Sequence, residues 1–266
     1  MTTRVCIAGA TGRMGRMLLE VAHGPAVQLG AALERVGAPQ VGRDAREFGY
    51  AESGLAITAD VAAALDASHV LIDFTRPEGT LEFLAACRRA GKPIVIGTTG
   101  FDEAGKAAIA AAARDIPVVF APNMSVGVNI TLKLIEQAAR ALDADYDIEI
   151  VEMHHNQKVD APSGTALKMG EVAAAARGTT LAADGILSRE GQTGARKRGT
   201  IGFATLRGGD VIGDHTVIFA GGGERIEISH KSSTRGNYAR GAVKAAQWLV
   251  GKPPGLYDMQ DVLGLK

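Results

Sequence analysis

The first half of the chain alternates apolar runs with segments of helical spacing. The run "RVCIAGA" predicts a buried strand, and "RMGRMLLEVAHG" directly after it predicts a helix. The pattern continues through four apolar runs and two helical segments: "VQLGAALER", "HVLIDFT", "PEGTLEFLAACRRAG", "KPIVIGTTG", "DEAGKAAIAAAARD" and "IPVVFAPN". The first of these two helices should begin near Pro77 and stop at Gly91. Continuous apolar strands separated by helices predict a parallel sheet that is covered on both faces.

The pattern changes after Asn123. Two long helical segments, "SVGVNITLKLIEQAARAL" and "SGTALKMGEVAAAARG", flank the strand-like run "YDIEIVEMHH". Three further strand-like runs then follow with no helix between them, which predicts an antiparallel or mixed sheet. The last helix, in "RGNYARGAVKAAQWLVG", is expected to fold back on the first domain. The prediction is an α/β chain with a parallel-sheet domain over 1–124 and 236–266 and a second, α+β domain over 125–235.

Composition narrows the class of protein. The 266 residues carry 29 basic and 29 acidic side chains, so no net charge points to nucleic acid or to an acidic membrane surface. No apolar run approaches the roughly 20 residues that span a bilayer, and no signal peptide is expected before the first strand. Cys6 and Cys87 lie in apolar or helical contexts, which favours free thiols in a reducing compartment. We expect a soluble, cytoplasmic protein.

A glycine-rich turn follows the first strand. In "GATGRMG", Gly9, Gly12 and Gly15 stand between a strand and a helix, where glycine allows a tight turn and close approach to a pyrophosphate. Such turns also occur for packing alone, but here the strand-turn-helix context is the one that dinucleotide binding requires. The turns "GTTG" (97–100) and "APNM" (121–124) also end strands, so they should lie along the same edge of the sheet.

An acidic residue ends the second strand about 20 residues after the glycines, at the position that binds a ribose 2′-OH in dinucleotide sites. This residue is Glu34, and Arg35 follows it directly. A carboxylate there favours NAD, whereas a guanidinium could accept the 2′-phosphate of NADP, so the pair suggests that both are used. An exposed surface role for Arg35 is an equal alternative.

The stretch "VEMHHNQKVDAPSGTA" concentrates polar chemistry after a strand. Regular strand geometry would point His154 and His155 to opposite faces, and no third ligand has a recognised metal spacing, although Glu152 and Asp160 are near. Metal binding is therefore the minor alternative, and a structural histidine at a strand end is another. The loop after the pair can bring the Lys158 ammonium to an imidazole, where a lysine can donate a proton or clamp a carboxylate.

A predicted helix start follows the histidines. Ser163 can cap it, so the N–H groups of Gly164 and Thr165 would form an anion site, although plain capping is the commoner role. Arg235 is a candidate second anion contact, with a surface arginine as an equal alternative. The basic loop "SREGQTGARKRG" is expected to be a solvated surface loop. Together with a nicotinamide site, the stretch indicates hydride transfer to an anionic small molecule, coupled to protonation.

These motifs resemble one family over nearly the whole chain. "IAGATGRMG", "IDFTRPEGTL", "VIGTTGFDEAGK", "APNMSVGVN", "HHNQKVDAPSGTA", "SREGQTG", "GTIGFATLRGGD" and "RGNYARGAV" occur in the order seen in the 4-hydroxy-tetrahydrodipicolinate reductases, also called dihydrodipicolinate reductases, of the diaminopimelate route to lysine. The resemblance implies a Rossmann-like cofactor domain, a substrate domain that also builds a homotetramer, and the use of NADH or NADPH. From the strand geometry and the missing ligand spacing we expect no metal.

The resemblance also implies residue roles. His154 would be the catalytic acid/base and Lys158 the proton donor. Substrate binding falls to His155 and the Ser163, Gly164 and Thr165 turn, to which we add Arg235 from its position at the domain junction. The positions matched to cofactor binding are Gly9, Ala10, Thr11, Gly12, Arg13, Met14, Gly15, Glu34, Arg35, Gly97, Thr98, Thr99, Ala121, Pro122, Asn123 and Met124.

The mechanism that follows is a hypothesis. The carboxylates of a cyclic dicarboxylate would meet Lys158 and the N–H groups of Gly164 and Thr165, the 4-hydroxyl would leave as water, and hydride would reach C4 with a proton from His154 or Lys158. Three rivals remain: a homoserine- or aspartate-type dehydrogenase, a redox-sensing regulator that binds NAD without turnover, and a zinc hydrolase. The first would need other catalytic residues, and the second would lack a proton donor beside an anion site.

Overall fold

The computed structural model describes residues 2–266, which form two compact units. The first unit runs to Val126 and resumes over Gly236–Lys266, and the second is Gly127–Arg235. The sequence placed these boundaries after 124 and after 235. Each unit has its own sheet and its own apolar core. The binding functions that we assign to the two domains stay predictions.

A six-stranded sheet, in which all neighbours are parallel, forms the centre of the first unit. Its strands are β1 (Thr3–Ala8), β2 (Val27–Leu33), β3 (Val70–Asp73), β4 (Ile94–Ile96), β5 (Pro117–Phe120) and β11 (Gly255–Tyr257). The order across the sheet is β11-β5-β4-β3-β1-β2, so the direction of winding reverses at β1. In sheets of this kind, ligands bind beyond the carboxyl ends of the strands, near the point of reversal.

Helices cover both faces of this sheet. They are α1 (Arg13–Val21), α2 (Val61–Asp66), α3 (Pro77–Ala90), α4 (Glu103–Ala112), α8 (Gly236–Leu249) and α9 (Met259–Leu263), with a 3-10 turn at Ala45–Phe48. As predicted, α3 begins at Pro77 and ends at Gly91, whose φ of 62° glycine tolerates without strain. One apolar layer joins α1 and α8 to the sheet, and the other joins α3 and α4, because β1, β3 and β4 send alternate residues to opposite faces.

A five-stranded mixed sheet forms the second unit. Its strands are β6 (Asp147–His154), β7 (Gly185–Ile186), β8 (Ile201–Arg207), β9 (Gly213–Ala220) and β10 (Arg225–Ser232), in the order β10-β9-β6-β8-β7. β6 pairs antiparallel with β9 and parallel with β8. The helices of this unit are α5 (Val126–Ala141), α6 (Gly164–Ala176) and the short α7 (Leu181–Asp184). The predicted fold class, a parallel α/β sheet plus a mixed-sheet domain, is confirmed.

The inward face of β6 carries two titratable side chains, Glu152 and His154. Its residues alternate between partly exposed and buried, and Ile148, Ile150, Glu152 and His154 are the buried ones. The two isoleucines join the apolar core beneath the sheet. A carboxylate and an imidazole therefore lie on the core side of the strand, where each needs a polar partner.

Several short elements of the two units were not predicted. α2, α7, α9, β7 and β11 contain two to six residues each, too few for a periodic pattern to appear. Within residues 2–266, no helix is both long enough and apolar enough to cross a membrane.

Candidate active site

The glycine turn between β1 and α1 has the backbone geometry of a pyrophosphate cradle. Gly9 adopts a φ of 63°, and a Cβ built on Gly15 would lie 2.1 Å from the carbonyl oxygen of Gly9. Gly12 precedes α1, and among the described residues no side chain caps this helix. The turn therefore brings backbone close to the helix start and leaves its first N–H groups uncapped, which fits a pyrophosphate.

Glu34 lies directly after β2 and reaches back to the glycine turn. Its Oε1 accepts hydrogen bonds from the Thr11 N–H at 3.0 Å and from the Thr11 hydroxyl at 2.6 Å. The second oxygen, Oε2, has a longer 3.4 Å contact with the N–H of Arg35. The structure thus joins two of the predicted cofactor-binding positions, and the Arg35 side chain beside them is exposed.

Two more turns lie at the same edge of the sheet. Gly97–Thr99 follows β4 and Ala121–Met124 follows β5, and parallel strands end on one side. A Cβ at Gly97 would lie 2.1 Å from the ring of Phe74, so only glycine fits there. Met124 is buried, and its carbonyl oxygen packs against Gly241 of α8. The turns that we predicted to share an edge with the glycine loop therefore do so.

Asp73, at the end of β3, is joined to the turn after β4 and was not among the residues predicted from the sequence. Its carboxylate accepts hydrogen bonds from Thr75, from the buried Thr80 hydroxyl and, at 3.4 Å, from the Thr98 hydroxyl of the turn after β4. Burial raises the pKa of Asp73, and these hydrogen bonds oppose the rise. The signal that could have found it is an acidic residue ending an otherwise apolar strand, "VLID".

In the second unit, β6 ends at His154, and this resolves the orientation of the histidine pair. His154 is buried, and its Nδ1 lies 2.6 Å from Oε2 of Glu152. His155 falls just outside the strand, where its N–H donates to the Val211 carbonyl and its Nδ1 accepts from Gln157. The strict alternation that would separate the two side chains therefore does not apply at His155.

Lys158 lies in the loop after the histidines, but its partner differs from the predicted imidazole. The ammonium forms an ion pair with the carboxylate of Asp160 at 2.8 Å, and its side chain is 20% exposed. The Lys158 hydrogen bond lowers the pKa of the Asp160 carboxyl. Because Asp160 is more than half exposed, an incoming anionic ligand could replace it as the partner of the ammonium.

Ser163 caps α6, as predicted. Its hydroxyl accepts from the N–H of Ala166 at 3.2 Å, and the helix begins at Gly164. The same hydroxyl lies 2.9 Å from Nε2 of His215, and the Ser163 N–H donates to Oε1 of Glu152 at 3.0 Å. Since the hydroxyl and the N–H of Ser163 are both hydrogen-bonded, the start of α6 at Gly164 is held in place. The role of this turn as an anion site stays a prediction.

Two residues around His154, Arg207 and His215, were not found from the sequence, and Glu152 was considered there only as a metal ligand. The guanidinium of Arg207, at the end of β8, donates to both oxygens of Glu152 at 2.8 and 2.9 Å. The His215 ring on β9 packs edge-on against His154, with centroids 5.0 Å apart. The alternation in "IEIVEMHH" could have indicated Glu152 as an inward acid, but only sheet pairing brings Arg207 and His215 to it.

Two predictions of the sequence analysis remain, which are Arg235 as a second anion contact and the alternative of a metal site. Arg235 is exposed, immediately before α8, and no hydrogen bond or ion pair found in residues 2–266 joins it to the histidines. A metal-binding group of three or more His, Cys, Asp or Glu side chains is likewise not formed by the described part of the chain. The ring and carboxylate near His154 are arranged as hydrogen-bond partners instead.

The basic loop 188–199 is mostly exposed, as expected, but two of its arginines are tied to the sheet. Arg189 donates to both oxygens of Glu149 at 2.8 and 2.7 Å. Arg196 donates to Glu149 at 2.9 Å and to Asp147 at 2.7 Å. Although burial acts to raise the pKa of Glu149, these arginines hold it below its ordinary value. The loop is therefore anchored along β6 rather than simply solvated.

We expect His215 to make the free energy of unfolding depend on pH. Burial, followed by the neighbouring His154, lowers the pKa of His215 from 6.5 to about 4. Below pH 6.5 the unfolded chain binds a proton at this histidine, whereas the folded chain does not bind it until about pH 4. The contribution of His215 to stability is therefore complete above pH 6.5 and is lost progressively as the pH falls to about 4. At pH 5 the expected loss from this residue is about 2 kcal/mol.

Urea unfolding of the wild type and of His215→Gln, each at pH 7.5 and pH 5, measures this contribution. The variant should lose less stability between the two pH values, whatever its stability at pH 7.5. His23→Gln, an exposed histidine outside the core, is the matched control and should keep the wild-type pH dependence. An equal pH dependence in wild type and His215→Gln would contradict the expected titration.

The parallel sheet, its glycine turn and the acid at the end of β2 define the class of α/β proteins with a dinucleotide-binding domain. A family model described as "Dihydrodipicolinate reductase, N-terminus" matches residues 3–124, and one described as "Dihydrodipicolinate reductase, C-terminus" matches residues 127–263. The chain belongs to the dihydrodipicolinate reductase family, as its motifs predicted.

Individual relatives agree over the full length. A Cupriavidus taiwanensis protein named 4-hydroxy-tetrahydrodipicolinate reductase is 61% identical over 263 residues, covering 98% of this chain and 99% of the relative. A Nitrosospira multiformis protein of the same name is 59% identical over 266 residues, covering 100% and 99%. The solved structure of a dipicolinate-bound dihydrodipicolinate reductase from Paenisporosarcina sp. TG-14 has a TM-score of 0.78 at 23% identity, covering 98% and 99%, and supports the fold.

Proposed function

We propose that this chain reduces (2S,4S)-4-hydroxy-2,3,4,5-tetrahydrodipicolinate to tetrahydrodipicolinate, with loss of water, in the diaminopimelate route to lysine. Relatives about 60% identical over their whole length carry the name of this activity. The structural observation that carries the proposal is a buried imidazole at the end of β6, His154, followed within one short loop by the Lys158 ammonium and the capped start of α6. These are a proton donor, a cation and an anion site.

The substrate's two carboxylates match the second unit. One would bind the N–H groups of Gly164 and Thr165 at the start of α6, where the helix dipole favours negative charge. The other would bind the Lys158 ammonium in place of Asp160. His155, just beyond the strand, would add a further polar contact, and Arg235 a second cationic one. A relative of the same fold was solved with dipicolinate, a planar ring dicarboxylate, bound to it.

Proton transfer falls to the buried imidazole and the ammonium. Reduction of the ring adds one hydride and one proton, and the proton must come from a group next to the substrate. His154, with its Nδ1 bound by Glu152, can exchange a proton through its other nitrogen. Lys158 can donate a proton directly or stabilise negative charge that develops on the ring. We assign the proton to these two residues together.

The first unit would hold NADH or NADPH at the edge described above. Gly9–Gly15 would contact the pyrophosphate, and Glu34 would accept from a ribose hydroxyl through Oε2, because Oε1 is held by Thr11. The turns Gly97–Thr99 and Ala121–Met124 lie along the same edge and would contact the rest of the cofactor. When bound there, a reduced nicotinamide supplies the hydride. The exposed Arg35 would meet a 2′-phosphate when NADPH is used.

Glu34→Gln should change cofactor preference rather than abolish activity. A carboxylate accepts charge-assisted hydrogen bonds from the ribose and repels a 2′-phosphate, so we expect kcat/KM with NADH to fall about tenfold. The value with NADPH should stay the same or rise. Glu20→Gln, the same change at an exposed position of α1, is the control. An equal loss with both cofactors would contradict the assignment of Glu34 to the ribose.

We also propose that the enzyme is a homotetramer in the cytoplasm. On β6, β8 and β9, the face opposite the helices carries Val151, Leu206 and Ile218, and Leu206 is 50% exposed, which suits an interface between sheets. Cys6 and Cys87 are both free and buried, which suits a reducing compartment. Light scattering coupled to size-exclusion chromatography should give four chains per particle, and Leu206→Glu should lower that number.

The test of the proposed function is a direct assay. The purified protein receives the product of dihydrodipicolinate synthase, made in the same cuvette, and nicotinamide oxidation is followed by absorbance with NADH and with NADPH. We expect oxidation that depends on the synthase. If the nicotinamide absorbance falls neither with NADH nor with NADPH, the proposed activity is overturned.

A further inference from the structure

The only acid on the inner face of β6 is Glu152, and its side chain is fully buried. The other inward residues of this strand are two isoleucines and His154. A carboxylate in such a place must be compensated by charges and hydrogen bonds, so its partners indicate its role.

Each oxygen of Glu152 accepts two hydrogen bonds. Oε1 accepts from the Arg207 guanidinium at 2.9 Å and from the Ser163 N–H at 3.0 Å. Oε2 accepts from Arg207 at 2.8 Å and meets Nδ1 of His154 at 2.6 Å. One carboxylate therefore connects the imidazole proposed to transfer the proton with the helix start proposed to bind the substrate. Arg207 holds it by a two-pronged ion pair.

These contacts determine which ring nitrogen of His154 carries the hydrogen. Burial acts to raise the pKa of Glu152, but the bonds from Arg207, His154 and Ser163 outweigh it and lower the pKa. The carboxylate is thus ionised and can only accept, so Nδ1 of His154 must donate. The nitrogen left to take up and release a proton is Nε2.

Two residues of β9, Gly213 and His215, lie next to the His154 ring. A Cβ on Gly213, the first residue of β9, would lie 2.9 Å from Nε2, so the glycine leaves room for the ring. His215, two residues further along β9, packs edge-on against the imidazole. The charged or titratable groups next to the Glu152–His154 pair include Arg207 on β8 and His215 on β9. Beyond them, His230 on β10 and Lys158 act on His215, and Asp160 acts on Arg207 and pairs with Lys158.

We propose that Glu152 is a positioning residue for the reduction, resting on the proposed function: held by Arg207, it fixes His154 with Nδ1 protonated and Nε2 as the atom that transfers the proton. It also stabilises the imidazolium, because an ionised carboxylate lies directly against the ring. Glu152 does not touch the substrate in this proposal and acts only through His154 and Ser163.

The test is Glu152→Gln, which keeps the size of the side chain and removes its charge. We expect kcat to fall about 100-fold, at the lower end of what a positioned general acid contributes. The limb of the kcat–pH profile on which activity falls with rising pH should move to lower pH, because the imidazolium has lost its carboxylate. Glu171→Gln, the same change in an exposed ion pair of α6, should leave both unchanged.

The single variant leaves the Arg207 guanidinium, whose side chain is 21% exposed, without its carboxylate partner and can fail to fold for that reason. The double variant Glu152→Gln/Arg207→Met removes both charges, and NADH binding together with cooperative thermal unfolding shows that it is folded. The proposal expects a loss of kcat in the double variant as well, with a smaller shift of the pH profile, because the guanidinium that opposes the imidazolium is removed together with the carboxylate. A folded double variant with the wild-type kcat would overturn the proposal.

A spectroscopic readout separates this proposal from the proposed function. The ¹⁵N chemical shifts of the imidazoles distinguish a protonated nitrogen from an unprotonated one. At alkaline pH, where the imidazole is neutral, wild type should show His154 protonated at Nδ1. The double variant should show a mixture of the two neutral forms, one protonated at Nδ1 and the other at Nε2. If wild type lacks reductase activity but shows this change, the proposed function fails and the positioning role of Glu152 stands. If His154 is protonated at Nε2 in wild type, the positioning role fails.

Discussion

His154→Asn should lower kcat by about 10²- to 10⁴-fold, the range that general acid catalysis contributes. The asparagine can still accept or donate a hydrogen bond near Glu152, but it has no nitrogen that gains and loses a proton near neutral pH. The dissociation constant of NADH should stay within about twofold of wild type, because the proposed cofactor residues all belong to the other unit. Steady-state kinetics and fluorescence titration of NADH measure the two quantities.

Two histidine variants make this result specific. His155→Asn should raise KM with a smaller change in kcat, because His155 lies outside the strand and is proposed only to contact the substrate. His23→Asn, an exposed histidine of the first unit, should behave as wild type. A folded His154→Asn enzyme with normal kcat would assign the proton transfer to another group.

Lys158→Met should lower kcat/KM by about 10²- to 10³-fold, since it removes both a cation for a carboxylate and a possible proton source. The methionine keeps most of the length and apolar stem, so the loss reports the charge. In the free enzyme the ammonium is paired with Asp160, whose side chain is 55% exposed, so little folding stability is lost with the pair. Kinetics with varied substrate separate the KM effect from the kcat effect.

The Lys158→Arg variant distinguishes carboxylate binding by the lysine from proton donation by it. A guanidinium binds carboxylates but does not release its proton near neutral pH, so this variant should recover KM and not kcat if Lys158 donates the proton. Recovery of both would limit Lys158 to carboxylate binding. Lys168→Met, on the exposed surface of α6, is the control for a lost charge. Unchanged kinetics in Lys158→Met would remove the residue from the site.

The fold was predictable to the extent that its pattern is local. The continuous apolar runs of β1 and β2 and the fourteen residues of α3 are long enough to form a recognisable pattern, and Pro77 and Gly91 mark the limits of α3 by their backbone preferences. The parallel pairing of β8 with β6 was not predictable, because the hydrophobic pattern of a strand does not contain the direction of its neighbour. Short elements such as β11 have too few residues to produce a pattern.

The candidate site was predictable where its residues are neighbours in sequence. The spacing of His154, Lys158 and Ser163 indicated a proton donor, a cation and a helix start, and the family motif assigned their roles. Sequence reasoning expected the Lys158 ammonium at an imidazole, and the structure places it on Asp160. Lys158 and Asp160 carry opposite charges two positions apart in the loop, so their ion pair could have been predicted from the sequence.

What the sequence by itself determined is the class of chemistry: a dinucleotide turn, an acid at the end of β2, and an imidazole and ammonium beside a helix start. What only the tertiary structure decided is how the imidazole is held. Arg207 is 55 residues from Glu152, and His215 is 52 residues from Ser163, and both are brought there by strand pairing with β6. Local preferences select turns, caps and strands within a few residues, whereas a buried charge finds its partner only when the sheet is formed.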